Sequence, residues 1–591
     1  MPDGEKAKGR DGKIMKKKKV CVLLSMIMTM TMVSLSGCGG SSGGMSNTAN
    51  ETPPMGQADS YTNNAAPSAK SADAADHATA DGGILNSEQT AAEDVSFDMT
   101  AINAAADYAG APMEDEGSDY WNTEEYNSVE EPGFKAVANE PLSTFSADVD
   151  TASYSNIRRM IEDGYSMEEI PAGAVRIEEM LNYFSYDYRL PKKDEPFGVT
   201  TVIGDCPWNE DAKLLQIGLK TEEIDFSEAP NSNLVFLLDV SGSMHTDDKL
   251  PLLQKSFSML VEELGEKDTV SIVTYAGSDQ VILKGESGDH KEEIIEAINA
   301  LEAGGSTNGA DGIETAYELA EKYFIEDGNN RVILATDGDL NVGVSSESDL
   351  KELITEKKES GVYLSVLGFG TGNIKDNKME VLADCGNGNY AYIDSVGEAK
   401  KVLVEQMGAT LVTVAKDVKL QVEFNPAYIK GYRLLGYENR ALATEDFDDD
   451  RKDAGEIGAG HMVTALYEIV PVDSEQEIPE TELKYQDGKN DTGITNGEWL
   501  NLKIRYKEPD ADESLLKEYP VTEKDYTSEP SEDFYFAAAV AEFGLMLRDS
   551  EYKGTASFEN VRELLKEVDT DEDDYKDEFV YLVKKLQKAA L

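Results

Sequence analysis

Between Leu234 and Met407, short unbroken apolar runs alternate with stretches of helical periodicity. Leu234-Val235-Phe236-Leu237-Leu238 and Val332-Ile333-Leu334-Ala335 contain no polar position, so both faces of each strand must be covered, as in a parallel sheet. After the first run, Leu253, Phe257, Leu260 and Leu264 share one helical face. Further strands are predicted at 270–275, 281–283, 363–369 and 390–393. Further helices are predicted at 294–301, 310–324, 350–358 and 399–407. Repeated strand–helix units imply an α/β fold: a doubly wound, mostly parallel, Rossmann-like sheet with helices on both faces. Ligands of such sheets bind outside the carboxyl ends of the strands.

Those ends carry the unusual residues. The first strand runs into Asp239-Val240-Ser241-Gly242-Ser243-Met244. The loop before the 310–324 helix reads Gly304-Gly305-Ser306-Thr307-Asn308-Gly309, and the 332–335 strand runs into Thr336-Asp337-Gly338-Asp339. Three converging loops then offer the carboxylates of Asp239 and Asp337 and the hydroxyls of Ser241, Ser243 and Thr307. Hard oxygen donors without nitrogen or sulfur select a hard dication, Mg²⁺ first, with Mn²⁺ or Ca²⁺ as alternatives. Gly242 and Gly338 are expected to permit the tight turns that aim these groups inward. Taken singly, each residue has a plain role: Asp239 as a helix cap, Asp337 in a turn, the serines as loop polar groups. Ser306 rivals Thr307 as the hydroxyl donor. Asp247 and Asp339 read as outlying acids, and His245 as exposed.

Taken together, the Asp-x-Ser-x-Ser run, the Thr in a Gly-rich loop and the later Thr-Asp-Gly resemble the metal-ion-dependent adhesion site of the von Willebrand factor type A (VWA) domain. The resemblance covers about 230–410. It implies that Asp239, Ser241, Ser243, Thr307 and Asp337 contact a metal directly or through water. It also implies one open coordination position, which a carboxylate from a partner protein fills. The wider chain is similar to bacterial lipoproteins that carry this domain between an N-terminal extension and a C-terminal domain of uncharacterised function. Residues 144–154 and 175–188 carry that wider likeness.

The amino terminus reads as an export signal. Lys16–Lys19 precede a 16-residue apolar run, 20–35, shorter than the roughly 20 residues a spanning helix needs. The run ends in Leu35-Ser36-Gly37-Cys38, which resembles the bacterial lipobox and implies cleavage before Cys38 and lipidation of its thiol. Residues 1–38 are therefore expected to be a signal peptide, leaving the mature protein anchored to a membrane rather than threaded through it. From 39 to 134 there are 18 Asp or Glu against the single Lys70, with sparse apolar residues. Such a stretch cannot bury enough surface to offset its ordering entropy, so a disordered acidic tether is expected over 39–138.

Folded matter resumes with a helical extension over 139–195, in which Ile177, Met180, Leu181 and Phe184 repeat at helical spacing. Asp148 and Asp150 read as capping or turn residues more readily than as cation ligands. Strands at 198–203 and 213–219 fall within 196–229. Segments 418–424, 461–470 and 499–506 alternate apolar and polar residues within a β-rich region, 411–510. With the earlier strands they are expected to form one antiparallel β-sandwich into which the central domain is inserted. Residues 511–591 turn helical, at 534–547, 561–568 and 579–586. The acids of 569–574 lack the Gly and closing Glu of a calcium loop. Cys206 and Cys385 are left either to pair or to stay free.

Composition narrows the function. With 54 Lys plus Arg against 115 Asp plus Glu, the net charge of −61 repels phosphate backbones and argues against nucleic-acid binding. Four Cys and four His leave little for zinc or iron–sulfur sites. A surface lipoprotein that binds a protein ligand through a divalent cation is the expected function, without enzymatic activity. The alternative is a structural envelope lipoprotein in which metal only stabilises the fold. A serine hydrolase is disfavoured, since Asp239 stands where a nucleophile elbow needs Gly and His245 has no evident orienting carboxylate.

Overall fold

The computed structural model describes residues 123–590, apart from 148–149, 194, 225–228, 306–309, 339–346, 407–410, 480–493 and 510. The export signal, Cys38, most of the tether (with His77), Asp148, Ser306, Thr307 and Asp339 lie outside the described residues.

The amino-terminal part contributes β1 (Lys135–Ala136), β2 (Leu142–Ser146), α1 (Ala152–Glu162), α2 (Ile177–Asn182), β3 (Gly198–Asp205) and β4 (Lys213–Lys220). The central part is β5 (Ser232–Asp239), α3 (Leu250–Glu263), β6 (Thr269–Tyr275), β7 (Asp279–Ser287), α4 (Lys291–Asn299), α5 (Ala310–Lys322), β8 (Asn329–Thr336), α6 (Glu347–Lys358), β9 (Tyr363–Phe369), α7 (Asp376–Cys385), β10 (Tyr390–Ile393) and α8 (Val396–Lys400). The carboxyl-terminal part adds β11 (Thr413–Phe424), β12 (Ile429–Leu435), β13 (Gly455–Gly458), β14 (Met462–Pro471), β15 (Glu498–Lys507), β16 (Leu515–Thr522), α9 (Glu532–Leu547), α10 (Phe558–Leu564) and α11 (Asp574–Ala589).

The central sheet has the order β10-β9-β8-β5-β6-β7. Its strands are parallel except β7, which returns antiparallel to β6 at one edge. The unbroken apolar run of β5 is explained by its two neighbours in depth. Leu234, Phe236 and Leu238 face a core with α3 residues Leu253, Phe257 and Leu260. Val235 and Leu237 face the opposite core, with Ile313 and Tyr317 of α5 and Met379 of α7. Strands β1, β2 and β16 fall in stretches read as tether, helical extension and helical carboxyl terminus, because each pairs with another strand, β12, β11 and β15 respectively. In the central domain two further features depart from the sequence reading. Helix α7 was not anticipated, and the helix expected to continue through 407 is α8 followed by a π-turn over Lys401–Glu405.

Around this domain stands an antiparallel sandwich. One sheet runs β1-β12-β14-β4-β3; the other runs β13-β11-β15-β16, with β2 also paired to β11. Strand β4 precedes the central domain and β14 follows it, yet they pair from Met462↔Lys220 to Ile469↔Lys213. The chain thus leaves the sandwich, builds the central sheet and returns. Leu215, Ile217 and Tyr467 of one sheet pack against Leu420, Val422 and Leu502 of the other. The neighbouring Leu214 and Leu466 turn outward onto α9, which is buried on every side and centres a helical layer with α1, α2, α10 and α11. Cys206 lies in that helical core and Cys385 packs beside α5 in the central domain, so both thiols are free. Among the described residues no helix is long and apolar enough to cross a membrane.

Candidate metal centre

In the sheet order, β5 has β6 on one side and β8 on the other, so the chain reverses direction around it. A crevice opens where such a reversal separates the loops at the strand ends. Asp239 ends β5 and is fully buried. Its carboxylate accepts from the Ser241 backbone N–H at 2.9 Å through Oδ1. Its Oδ2 accepts from the Thr336 hydroxyl at 3.2 Å and the Tyr275 hydroxyl at 3.3 Å. Burial first, and the Asp337 carboxylate second, push the Asp239 carboxyl up to about 6. Ser241 and Ser243 face each other, their hydroxyl oxygens 3.0 Å apart.

The Gly-rich loop is drawn onto this turn by backbone bonds. Gly304 N–H donates to the Val240 carbonyl at 2.8 Å, and Gly242 N–H donates to the Gly305 carbonyl at 3.2 Å. That loop leads directly to Thr307, which lies outside the described residues. Asp337, directly after β8, is also buried. The turn behind it needs Gly338: φ is +100°, and a Cβ would stand 2.6 Å from the Lys375 nitrogen. Gly242 works differently from the expectation. Its φ is not in the left-handed region, and its lack of a side chain serves the close approach of the Gly305 carbonyl.

Asp239, Ser241, Ser243 and Asp337 are thus brought to one end of the sheet. The outlying calls fall elsewhere. Asp247 is exposed. His245 is exposed as well, and its Nδ1 lies 3.0 Å from the Gly242 carbonyl. Asp150 accepts from Tyr390 N–H at 2.9 Å and pairs with Arg440 at 2.8 Å, a joint rather than a cation site. The sequence reading missed a cation that stands among these residues. Lys249 Nζ lies 2.9 Å from Asp337 Oδ2, with both side chains buried. A lone lysine in the Asp247-Asp248-Lys249 run looks solvated, so nothing local marks it. Tyr275 was also missed, and Thr336 was read as part of the motif without its role on Asp239; each ends a strand flanking β5, and that adjacency is the signal.

The donor set fits a hard dication. It holds two buried carboxylates with the buried Ser241 and half-buried Ser243 hydroxyls, and an ammonium stands as counter-charge on one carboxylate.

A family profile described as "von Willebrand factor type A domain" matches residues 233–406. Profiles described as "Uncharacterized protein YfbK, C-terminal" and "von Willebrand factor" match 409–589 and 120–216. "Uncharacterized protein YfbK" of Escherichia coli (strain K12) is 43% identical over 475 residues, covering 78% of this chain and 80% of that protein. "Inter-alpha-trypsin inhibitor heavy chain H3" of Homo sapiens is 27% identical over 159 residues, 26% of this chain and 18% of that one. Among solved structures, "von Willebrand factor type A from Catenulispora acidiphila" aligns with a TM-score of 0.36 and 15% identity, covering 65% of this chain and 88% of that one.

Proposed function

We propose, from the premise that this chain belongs to the family of the Escherichia coli protein YfbK, that it is a lipid-anchored surface protein that grips a protein ligand through a divalent cation. Residues 233–406 are a VWA domain and 409–589 a YfbK-like C-terminal domain. The cation site in the proposal is Asp239, Ser241, Ser243, Thr307 and Asp337, with Mg²⁺ as the first choice and Mn²⁺ or Ca²⁺ as alternatives. The observation that carries it is the burial of Asp239 beside two mutually facing serine hydroxyls at the carboxyl end of the central strand. A bound dication would supply a Lewis-acidic position that an acidic side chain of the partner completes. The chain's own part is to hold the oxygens: Thr336 and Tyr275 orient Asp239, and the Gly304–Gly305 backbone holds the third loop against the first. No reaction is assigned. The two serine hydroxyls face each other, and His245 is turned to the Gly242 carbonyl, so neither serine has a general base on it among the described residues.

The test is titration of MgCl₂ and MnCl₂ into the full chain, by calorimetry and by melting temperature, beside Asp239→Ala and Thr307→Ala. Saturable one-site binding that raises the melting temperature, weakened by both substitutions, is expected, because any ligand of the native state must stabilise it. A melting temperature indifferent to metal would sink the reading and leave a structural envelope lipoprotein. The anchor is tested separately. Labelled fatty acid is expected to be incorporated in growing bacteria and lost in Cys38→Ser; unchanged label in that variant removes the anchor.

A further inference from the structure

We propose that Lys249 is a tethered counter-cation that sets the metal affinity of this site. It holds Asp337 in the metal-free protein and opposes the arriving dication. The inference rests on reading Asp239, Ser241, Ser243 and Asp337 as a dication site. It extends that reading to a residue outside the ligand motif.

The lysine is placed rather than incidental. Its Nζ bonds Asp337 Oδ2 at 2.9 Å, and its side chain is only 9% exposed. The aliphatic stem reaches the carboxylate across Gly370, just past β9, whose φ is +75°. A Cβ on Gly370 would overlap the Lys249 methylenes, so the sheet edge is cut away where the stem passes. The base of the side chain is fixed by the turn before α3, where Lys249 N–H donates to the Thr246 carbonyl at 3.0 Å.

The charges make this placement consequential. Two carboxylates, Asp239 and Asp337, are buried at the same strand ends. The donors on Asp239 among the described residues are a backbone N–H and two hydroxyls, all neutral. The Lys249 ammonium on Asp337 is a cation set beside both acids. Without it the metal-free fold would bury the same two like charges with one counter-charge fewer, a costly change. Once a dication sits among the same oxygens, the ammonium becomes a like charge a few ångströms away. An ammonium is a compact, hydrated charge on a flexible stem, so it can yield where a forked guanidinium would not. The same residue therefore steadies the metal-free protein and keeps metal binding weak enough to respond to a partner's carboxylate.

The experiment uses the full chain with Lys249→Met, which keeps the stem and removes the charge. Lys249→Gln, which keeps a donor for Asp337, covers the case in which the methionine variant fails to fold. Mg²⁺ and Mn²⁺ alone are the probes. Melting temperature is read in EDTA and at saturating metal, and affinity by titration calorimetry. Both variants are expected to melt lower than wild type in EDTA and to bind metal about tenfold more tightly or better, with a larger metal-induced rise in melting temperature. If wild type binds metal too weakly to register while a variant binds it, the inference is supported in its strongest form. If wild type responds to metal and the variants bind equally or more weakly, Lys249 is a structural ion-pair partner and the inference fails. If neither wild type nor variants respond to either metal, the dication reading fails, and the inference with it.

Discussion

Asp239 and Asp394 occupy corresponding places, one ending β5 and the other directly following β10, at the carboxyl edge of a single sheet. Their surroundings are opposite in kind. Asp394 takes the Arg158 guanidinium in a fork, at 2.7 Å from Nε and 2.5 Å from Nη2. The same Arg158 reaches Glu398 at 2.7 Å, and Tyr183 donates to Glu398 at 2.8 Å. A second joint repeats the pattern where Arg176 meets Asp376 at 2.5 Å. Among the described residues Asp239 takes an N–H and two hydroxyls, and a lysine stands on its neighbour Asp337. A permanently charged fork makes a joint that no metal can enter. In the proposed reading, neutral donors on Asp239 and a flexible ammonium on Asp337 leave a carboxylate pair open to a cation. The difference comes from what meets each strand end: α1 packs against the edge strand, whereas at the middle the turn after β5 meets the Gly304–Gly305 backbone.

The contrast can be broken most directly at the joint. Arg158→Met removes the cation from two buried carboxylates and is expected to cost about 3–5 kcal/mol. The fall in melting temperature should be the same in EDTA and in Mg²⁺. A small loss, or one that metal repairs, would mean that the two strand ends do not differ as described. The reciprocal change, Asp239→Asn, should hold or raise the melting temperature in EDTA at neutral pH, because it removes a buried negative charge, and abolish the metal-induced rise. That rise is worth about 2.7 kcal/mol when metal stands at a hundredfold excess over its dissociation constant. A variant that still responds fully to metal would move the site away from Asp239.

These two ends were unequally legible in the sequence. The apolar runs of β5 and β8 announce a sheet covered on both faces, and the motif after each announces oxygen donors. The proposed ligand residues are close in sequence to the strands that place them, so the apolar runs locate them and the likeness to the VWA motif singles them out. The joint is a different matter. Arg158 and Asp394 are separated by more than two hundred residues, and α1 reads locally as a polar helix with Arg158 and Arg159 on its surface. Only the insertion of the central sheet between β4 and β14 brings α1 against β10. Helix α7 was missed because Asp376, Lys378, Asp384 and the Gly-rich residues after it mask the Met379, Leu382 and Ala383 face that is buried. Lys249 was invisible for the same reason as the joint: its partner follows another strand.

Acidity offers a third and smaller way to separate the ends. Burial holds the Asp239 carboxyl at about 6, above its ordinary value near 4. A carboxyl raised by folding contributes stability that is complete below its unfolded value and lost as pH rises through its folded one. In EDTA the protein should therefore lose on the order of 2 kcal/mol of stability between about pH 4 and 6 from this group. The metal-induced rise should show the opposite trend, shrinking as pH falls below 6, because metal needs the carboxylate. Melting curves from pH 4 to 8, with and without Mg²⁺, check both slopes, and Asp239→Asn should flatten both.

The finest test compares one hydroxyl from each end. Tyr183→Phe deletes the group that donates to Glu398 and accepts from Arg158 at 2.8 Å. Both partners stay buried and charged, so a loss of about 1–2 kcal/mol is expected whether or not metal is present. Ser243→Ala deletes a half-buried hydroxyl whose described partner is the hydroxyl of Ser241, 3.0 Å away. That contact is neutral and replaceable by water, so stability in EDTA should hardly move. Metal affinity, however, should fall about tenfold, since one of the few oxygens facing the cation is gone. If the two substitutions gave the same metal-independent loss, the serine pair would be part of the scaffold. If Tyr183→Phe weakened metal binding as much as Ser243→Ala, the forked joint would be coupled to the site rather than set against it.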